Sequence, residues 1–412
     1  MDFPTLSHAE RDRRWAMLRD YMKKHDQECM LVFGLKGREH YEGYIANENI
    51  EGMVILPRES DPILISWHPK MIMRRLGSKN EQDRFWVKDS LSGPYSALIP
   101  QVLRERGLDA KRIGVVGLES GEPGSPEGLV SYLTWTRILK ACPKAEFTDI
   151  TWDFREMMVE KSPEEIAIMR HCGHIGERAA QAMIDACKPG ASELDIYCAI
   201  QHEIHAAAAI THDPFLIMSW GRDDIGWSEP PWTYSGGAPR RLEPGDLVCA
   251  ELFPVYAGLE TQQQVAVALA PVEPEIQALG EVARKSYLAG VQAARAGSTF
   301  AALEQAMLAP VLEADCWTFT PLIHSIAPLG WVGGMAKNLD KVPPSVEPFR
   351  AQMDVKMGES EHGLALRNGM SFAFEPNACR GQRRVNIGGT VLVGDSEGEE
   401  LNTVVNRLHI IG

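Results

Sequence analysis

The sequence has no excess of basic residues and no long apolar run. Its 412 residues include 42 Lys and Arg against 56 Asp and Glu, which gives a formal net charge of −14. Nucleic-acid-binding faces carry clustered Lys and Arg, and a membrane helix needs roughly 18 consecutive apolar residues. Residues 1–14 carry charge from Asp2 onward and lack the apolar segment of a secretory signal. We therefore expect a cytoplasmic protein with no nucleic-acid or membrane partner.

Paired cysteines and a zinc-protease motif are absent as well. The eight cysteines are scattered singly, at positions 29, 142, 172, 187, 198, 249, 316 and 379. Because no C-x-x-C pair occurs in this long chain, we expect reduced, mostly buried thiols. The run His202-Glu203-Ile204-His205 lacks the i, i+4 histidine pair of H-E-x-x-H and is interpreted as a helix surface.

What is present is an ordinary globular composition, with 44% hydrophobic and 24% charged residues. The chain exceeds the roughly 100–200 residues of one domain, so we expect two domains. The first, over residues 1–155, alternates helical and extended patterns as an α/β unit does. Its predicted helices cover 8–24, 95–106 and 126–139, and its predicted strands cover 30–33, 53–56, 63–67 and 113–116.

The second predicted domain, over residues 156–412, opens with a strong helix start. Ser162 caps, Pro163 suits the first helical position, and Glu165 completes an S-x-x-E capping box. Two helices, strands, two helices and strands follow, which predicts a pseudo-duplicated α+β domain. The helices are expected over 163–187, 192–209, 273–296 and 299–314, and the strands within 214–270 and near 318–326, 370–375, 385–393 and 404–411. Residues 332–362 are interpreted as a long loop over the site.

Three polar groups stand in or at the end of otherwise apolar strands. Glu251 interrupts the run from Leu247 to Phe253, His324 follows Leu322-Ile323, and Glu375 follows Met370 to Phe374. A buried acid needs a partner or a raised pKa. Each group alone could equally be an outward-facing residue or a core residue whose hydrogen bonds are satisfied. Three such groups in one domain predict a functional site.

Several segments resemble the creatinase/aminopeptidase P/prolidase superfamily. They are Arg155 to Glu165, P-G-A-S at 189–192, L-E-P-G-D-L-V at 242–248, H-S-I at 324–326 and G-M-S-F-A-F-E-P at 369–376. The resemblance spans essentially the whole chain. It implies an α+β fold class, with a creatinase-like N-terminal α/β domain over 1–155 and a pseudo-symmetric pita-bread catalytic domain over 156–412.

The same resemblance implies a homodimer in which the N-terminal domain reaches the neighbour's site. The candidates for that contact are Arg38, His40, Tyr41 and Tyr44. Exposed loop residues without a role are the equal alternative.

The sequence departs from the superfamily at the metal ligands. Metallopeptidases of this superfamily place ligands in the order Asp, Asp, His, Glu, Glu, and the resemblance maps these positions onto Glu251, Gln262, His324, Glu375 and Gly388. A dinuclear centre needs several charged oxygens. Two of them are lost here, which argues against such a centre, while a single divalent metal on Glu251, His324 and Glu375 stays open. Two further family histidines become Tyr234 and Trp331.

A pita-bread chain without these ligands resembles creatinase and ectoine hydrolase, which hydrolyse C–N bonds of small polar compounds without metal. The loop before Glu251 adds aromatic and acidic side chains, namely Trp220, Trp227, Trp232, Tyr234, Asp223, Asp224 and Glu229. Aromatic faces and carboxylates suit a small organic cation. Tryptophans that only pack a long loop are the alternative.

The resulting hypothesis is metal-independent hydrolysis of an amidine, guanidine or amide C–N bond in a small cationic compound. Glu251 and Glu375 would bind the substrate, one acting as base or nucleophile, and His324 or Tyr234 would shuttle the proton. The predicted substrate contacts are Gln262, Gln264, Trp232, Trp331, Asp223 and Tyr41. The competing hypotheses are a metal-dependent Xaa-Pro hydrolase, a lyase acting on a cationic small molecule, and a non-catalytic binding protein.

Overall fold

The computed structural model describes residues 3–34, 40–48, 52–77, 85–119, 128–226, 228–353 and 363–412. The chain divides into two compact units. One comprises Thr5–Met158, and the other comprises Val159–Gly412 together with Phe3 and Pro4. Within the described ranges, no helix is both long and apolar enough to span a bilayer.

The N-terminal unit is built on one mixed sheet of six strands. Its elements are α1 (His8–Lys24), β1 (Cys29–Phe33), α2 (Tyr41–Ala46), β2 (Gly52–Pro57), β3 (Ile63–Ser66), α3 (Pro69–Gly77), β4 (Asp89–Ser92), α4 (Tyr95–Glu105), β5 (Arg112–Val116), α5 (Tyr132–Ala141), β6 (Glu146–Asp149) and α6 (Thr151–Val159). The strand order is β4-β3-β2-β1-β5-β6. Alternate residues of β1 enter two different apolar clusters, since Met30 and Val32 belong to one and Leu31 and Phe33 to the other. Both faces of the sheet are therefore covered, as an α/β unit requires.

The C-terminal unit surrounds a larger sheet with paired helices. Its elements are α7 (Pro163–Ala186), α8 (Glu193–Ala206), β7 (Ile210–Trp220), α9 (Trp232–Ser235), β8 (Leu247–Tyr256), β9 (Leu259–Glu260), β10 (Gln263–Leu269), α10 (Pro274–Ala293), α11 (Phe300–Glu313), β11 (Ile323–Ser325), β12 (Val332–Gly333), α12 (Arg350–Met353), β13 (Ser371–Phe374), β14 (Asn377–Arg380), β15 (Arg383–Asn386), β16 (Gly388–Leu392), β17 (Glu399–Glu400) and β18 (His409–Ile411).

The ten-stranded sheet of this unit brings distant segments side by side. Its main path is β12-β11-β13-β16-β10-β8-β7, and β14 and β15 form a separate hairpin. Helices α7 and α8 pack together, as do α10 and α11. Two helices followed by strands thus occur twice, which confirms the predicted α+β class with its pseudo-duplicated second half.

Most predicted elements are confirmed, and the differences are local. Helices α2, α3 and α6 and strands β4 and β6 were not predicted, because short half-buried segments give little periodicity. The predicted loop 332–362 contains β12, two 3₁₀ turns and α12, while residues 354–362 lie outside the described ranges. All eight cysteines are free and all except Cys198 are buried, as expected.

The capping box at the start of α7 gives a stability prediction. Ser162 accepts from the Glu165 backbone N–H at 3.2 Å, and Glu165 accepts from the Ser162 N–H at 2.8 Å. Ser162→Ala should lower the free energy of unfolding by about 1 kcal/mol, whereas Ser162→Thr keeps the hydroxyl and should cost less. Urea denaturation measures both, and an Ala variant as stable as the wild type would contradict the assignment.

Candidate functional site

Glu251 lies in the middle of a completely buried strand. All ten residues of β8 are buried, and Glu251 itself is 5% exposed. The antiparallel register places Gln264 of β10 directly opposite it. Side chains of opposed residues lie close together, so the Gln264 Nε2 donates to Glu251 Oε1 at 3.1 Å. The carboxylate is thereby accommodated inside the apolar sheet.

His324 and Glu375 come from neighbouring strands of the same sheet. Residue 324 of β11 is paired with Ala373 of β13, and the Glu375 backbone N–H donates to Leu322 O. The two side chains form an ion pair, with 2.9 Å between His324 Nε2 and Glu375 Oε1. Ligand atoms of Glu251, His324 and Glu375 all lie within 4.8 Å of one another. The three groups singled out in the sequence therefore share one buried site.

Two glutamines connect the charged groups. The Gln264 amide nitrogen that contacts Glu251 is also 3.5 Å from Glu375 Oε2, and Gln262 Oε1 lies 3.1 Å from His324 Nε2. Within the described part of the chain, the buried Gln264 Oε1 has no hydrogen-bond partner. A buried acceptor without a donor is costly, so this oxygen marks a place where a ligand donor would fit.

The neighbours of the His324 ring favour its doubly protonated form. Nδ1 faces the Ser325 carbonyl at 2.8 Å, and Nε2 faces a carboxylate and an amide oxygen, so every neighbour is an acceptor. Burial lowers the pKa of His324, but Glu375, the Ser325 carbonyl and Glu251 together outweigh burial and raise that pKa above 6.5. The contacts and the raised pKa thus both favour the imidazolium form of His324 between the two glutamates.

Gly388 stands at the position of the last family ligand and leaves no room there for a side chain. It has φ +138°, and a Cβ built on it would lie 1.9 Å from the Phe374 carbonyl oxygen. No side chain larger than hydrogen fits there without moving the backbone that leads into Glu375. A carboxylate at this position is therefore excluded by the local backbone.

The donor set does not fit a dinuclear metal centre. It offers two carboxylates and one imidazole, while Gln262 already shares its oxygen with His324. A bridging pair of divalent ions needs more charged oxygens than this. A single divalent ion could be held by Glu251, His324 and Glu375, but His324 would first have to lose its Nε2 proton, because a ligand nitrogen must be unprotonated.

Three predicted site residues between positions 223 and 234 lie in other surroundings than expected. Tyr234 on α9 is 95% exposed, so the structure does not support a buried proton shuttle at this position. The exposed Asp223 pairs with Arg383, and the half-buried Trp232 packs edge-on against Tyr197 of α8 at 5.4 Å.

Tyr41 belongs to the apolar core of the N-terminal unit. It is fully buried and packs edge-on against Phe154 at 5.9 Å. The expectation that it lies in a loop is therefore wrong, while the contact of the N-terminal domain with a neighbouring subunit stays a prediction. Arg38, which was predicted for the same contact, lies outside the described residues. Trp227, from the loop before Glu251, lies outside them as well.

The predicted contact residue Trp331 is buried just before β12, and its carbonyl accepts from the Ser325 N–H next to His324. Sequence reasoning missed Glu260, a buried carboxylate that accepts from Gln262 Nε2 at 2.8 Å. The alternation Glu260, Gln262, Gln264 was its available signal, since alternate residues of an extended chain share a face.

The comparisons with known proteins agree with this architecture. The model of metallopeptidase family M24 matches residues 167–395. Creatinase of Bacillus sp. (strain B-0618) is 21% identical over 72% of this chain and 69% of its own, and a Xaa-Pro dipeptidase of Lactobacillus helveticus is 23% identical over 57% of each chain. The structure of an X-Pro aminopeptidase from Thermotoga maritima MSB8 matches with a TM-score of 0.72 and 14% identity, covering 96% of this chain and 99% of that one.

The chain belongs to metallopeptidase family M24, which confirms the predicted creatinase/aminopeptidase P/prolidase superfamily and its pita-bread fold. The family match and the creatinase and dipeptidase relatives support the coarse statement that the chain is a hydrolase-type member of the family.

Gly388 gives a prediction that separates steric closure from backbone strain. Gly297 also has positive φ, but a Cβ built there meets nothing within 4 Å. Gly297→Ala should cost roughly 1–2 kcal/mol from backbone strain, and Gly388→Ala should add the penalty of overpacking, about 1–3 kcal/mol more. Urea denaturation of both variants measures the difference, and equal losses would show that the Gly388 position has room.

The charged form of His324 predicts a pH-dependent stability. Because the folded-state pKa is raised above 6.5, the folded protein holds this proton more tightly than the unfolded chain. The stabilisation is full below about pH 6.5 and is lost as the pH rises through the folded-state pKa. The difference in unfolding free energy between wild type and His324→Gln should therefore shrink as the pH rises from about 6.5 through the folded-state pKa. The exposed His8→Gln serves as control, and a pH-independent difference would contradict the prediction.

Proposed function

We propose that this protein hydrolyses a C–N bond in a small cationic compound without a metal ion. The single observation that carries the proposal is the buried arrangement of Glu251, His324 and Glu375, in which two carboxylates face one imidazolium. Formally these groups sum to one negative charge. Two carboxylates beside one histidine give the site a negative local potential, which favours a cationic ligand.

The hydrogen-bond capacity of the site supports the same class of ligand. The carboxylates accept only, and the unpartnered Gln264 Oε1 accepts only. A compound with several N–H groups, such as an amidinium or guanidinium, would donate to these oxygens. A neutral ester or a phosphate would leave the acceptors unsatisfied.

The side chains can be given roles in the reaction. Glu375 is compensated by His324, so we assign Glu251 as the base that takes a proton from water. The water oxygen forms a bond to the substrate carbon, the C–N bond breaks, and His324 gives its Nε2 proton to the leaving nitrogen. The proton held by Glu251 then restores the charge of His324. Tyr234 has no role in this scheme because of its exposure.

A second function rests on the same three residues. Their ligand atoms lie within 4.8 Å of one another and could hold one divalent ion, which would supply Lewis-acid activation of a carbonyl as in a metal-dependent peptidase. The Xaa-Pro dipeptidase and X-Pro aminopeptidase relatives make this the principal alternative.

Charge-neutralising variants test the proposal. Glu251→Gln and Glu375→Gln should each lower kcat by roughly 10²–10⁴-fold, the usual contribution of a positioned base or its partner. The assay is a panel of small guanidinium, amidinium and cyclic amidine compounds, with Xaa-Pro dipeptides as the contrasting class. Glu399→Gln, which removes only an exposed ion pair with Arg170, should be as active as the wild type.

Metal content decides between the two functions. The purified protein is analysed for bound metals and assayed before and after exhaustive chelation. Unchanged turnover of a cationic substrate supports the proposal. Turnover that disappears with chelation and returns with added metal, or near-normal turnover in both glutamate variants, overturns it.

A further inference from the structure

A second carboxylate–histidine contact lies next to the site and takes no part in the proposed chemistry. Glu260 of β9 is 4% exposed, and its Oε2 pairs with Nδ1 of His212. The other oxygen, Oε1, accepts from Gln262 Nε2 at 2.8 Å. A carboxylate buried to this degree needs polar partners, and here Gln262 donates to one oxygen while His212 lies against the other.

The local backbone explains how this pair arises. His212 lies beside the irregularity in the pairing of β7 with β8, where the register shifts between Thr211 and Leu216. Glu260 pairs with Val255 near the end of β8, and Val255 also pairs with Ile210 of β7. The end of β8 thus pairs with both β7 and β9, which brings His212 and Glu260 into the same region.

The pair determines which end of the Gln262 amide faces His324. A carboxylate can only accept a hydrogen bond, so it binds the amide nitrogen and never the amide oxygen. With its nitrogen held by Glu260, Gln262 has only its oxygen left for His324 Nε2, at 3.1 Å. Turned by half a rotation, the same amide would present its N–H groups to the N–H of the ring.

We propose that Glu260, supported by His212, is a positioning residue that fixes the Gln262 amide with its oxygen toward His324. The ring is then held by three acceptors, namely Gln262, Glu375 and the Ser325 carbonyl. The Nε2 hydrogen is kept at the point where the proposed reaction uses it. The inference rests on the proposed function for this consequence alone, since the amide orientation exists whether or not the protein hydrolyses a cation.

Side-chain NMR at one fixed pH tests the orientation directly. In protein labelled with ¹⁵N at Gln and His, the wild type should show one strongly deshielded Gln262 amide proton and a His324 Nε2–H protected from exchange with water. Glu260→Met removes the acceptor at similar size. It should shift that amide proton upfield and speed exchange of the His324 Nε2–H at least tenfold. Gln262→Met identifies the amide signals and His324→Gln the ring signal.

Two controls separate positioning from a general loss of stability. Glu260→Gln retains an acceptor oxygen and should keep more of the wild-type amide shift than Glu260→Met, and it replaces the Met variant if that one does not fold. Urea denaturation of each variant is measured in parallel. A purely structural Glu260 would lower stability and leave both signals unchanged, and that result would overturn the inference. It would not touch the proposed function, which is tested by turnover of Glu251 and Glu375 variants.

Discussion

Burial of charge inside an apolar sheet is the constraint on which the site depends. Glu251 and Glu375 are almost inaccessible, since Glu251 stands in a completely buried strand and Glu375 directly follows another. Each ionised group in such surroundings needs hydrogen bonds or an opposite charge. The imidazolium of His324 and the amide of Gln264 meet this need in part.

At the family metal-ligand positions, both the side chains and the surrounding backbone differ from what a dinuclear centre would need. Gln262 and Gln264 bring amide groups that contact His324, Glu251 and Glu375, so these polar groups are bound to each other. At the last ligand position, the backbone of Phe374 occupies the space that a side chain of residue 388 would need. A carboxylate introduced at one of these positions would therefore lie among side chains that are already hydrogen-bonded to each other.

Much of the fold and the core of the site could be predicted, because both depend on local patterns. The capping box at Ser162 marks the start of α7, and the polar interruptions at Glu251, His324 and Glu375 stand out against apolar strands. Tyr234 and Asp223 could not be placed, because loop side chains follow tertiary contacts that no periodicity records. Asp223 is drawn to Arg383, some 160 positions away in sequence. Glu260 was missed because the alternation with Gln262 and Gln264 was not used, and because His212 becomes its neighbour only through the pairing of β7, β8 and β9.

The tryptophan-rich loop contributes less charge to the site than its sequence suggested. Asp224 accepts from the backbone N–H groups of Trp220 and Gly226 and so stabilises the local turn, and Asp223 is neutralised by Arg383. The buried Arg384 donates to the Ile225 carbonyl and to Thr320 Oγ1, which links this loop to the segment before His324 and to the hairpin after Glu375. The acids of the loop thus serve its own conformation and attachment. The negative charge available to a ligand belongs to Glu251 and Glu375, where the apolar surroundings make it strongest.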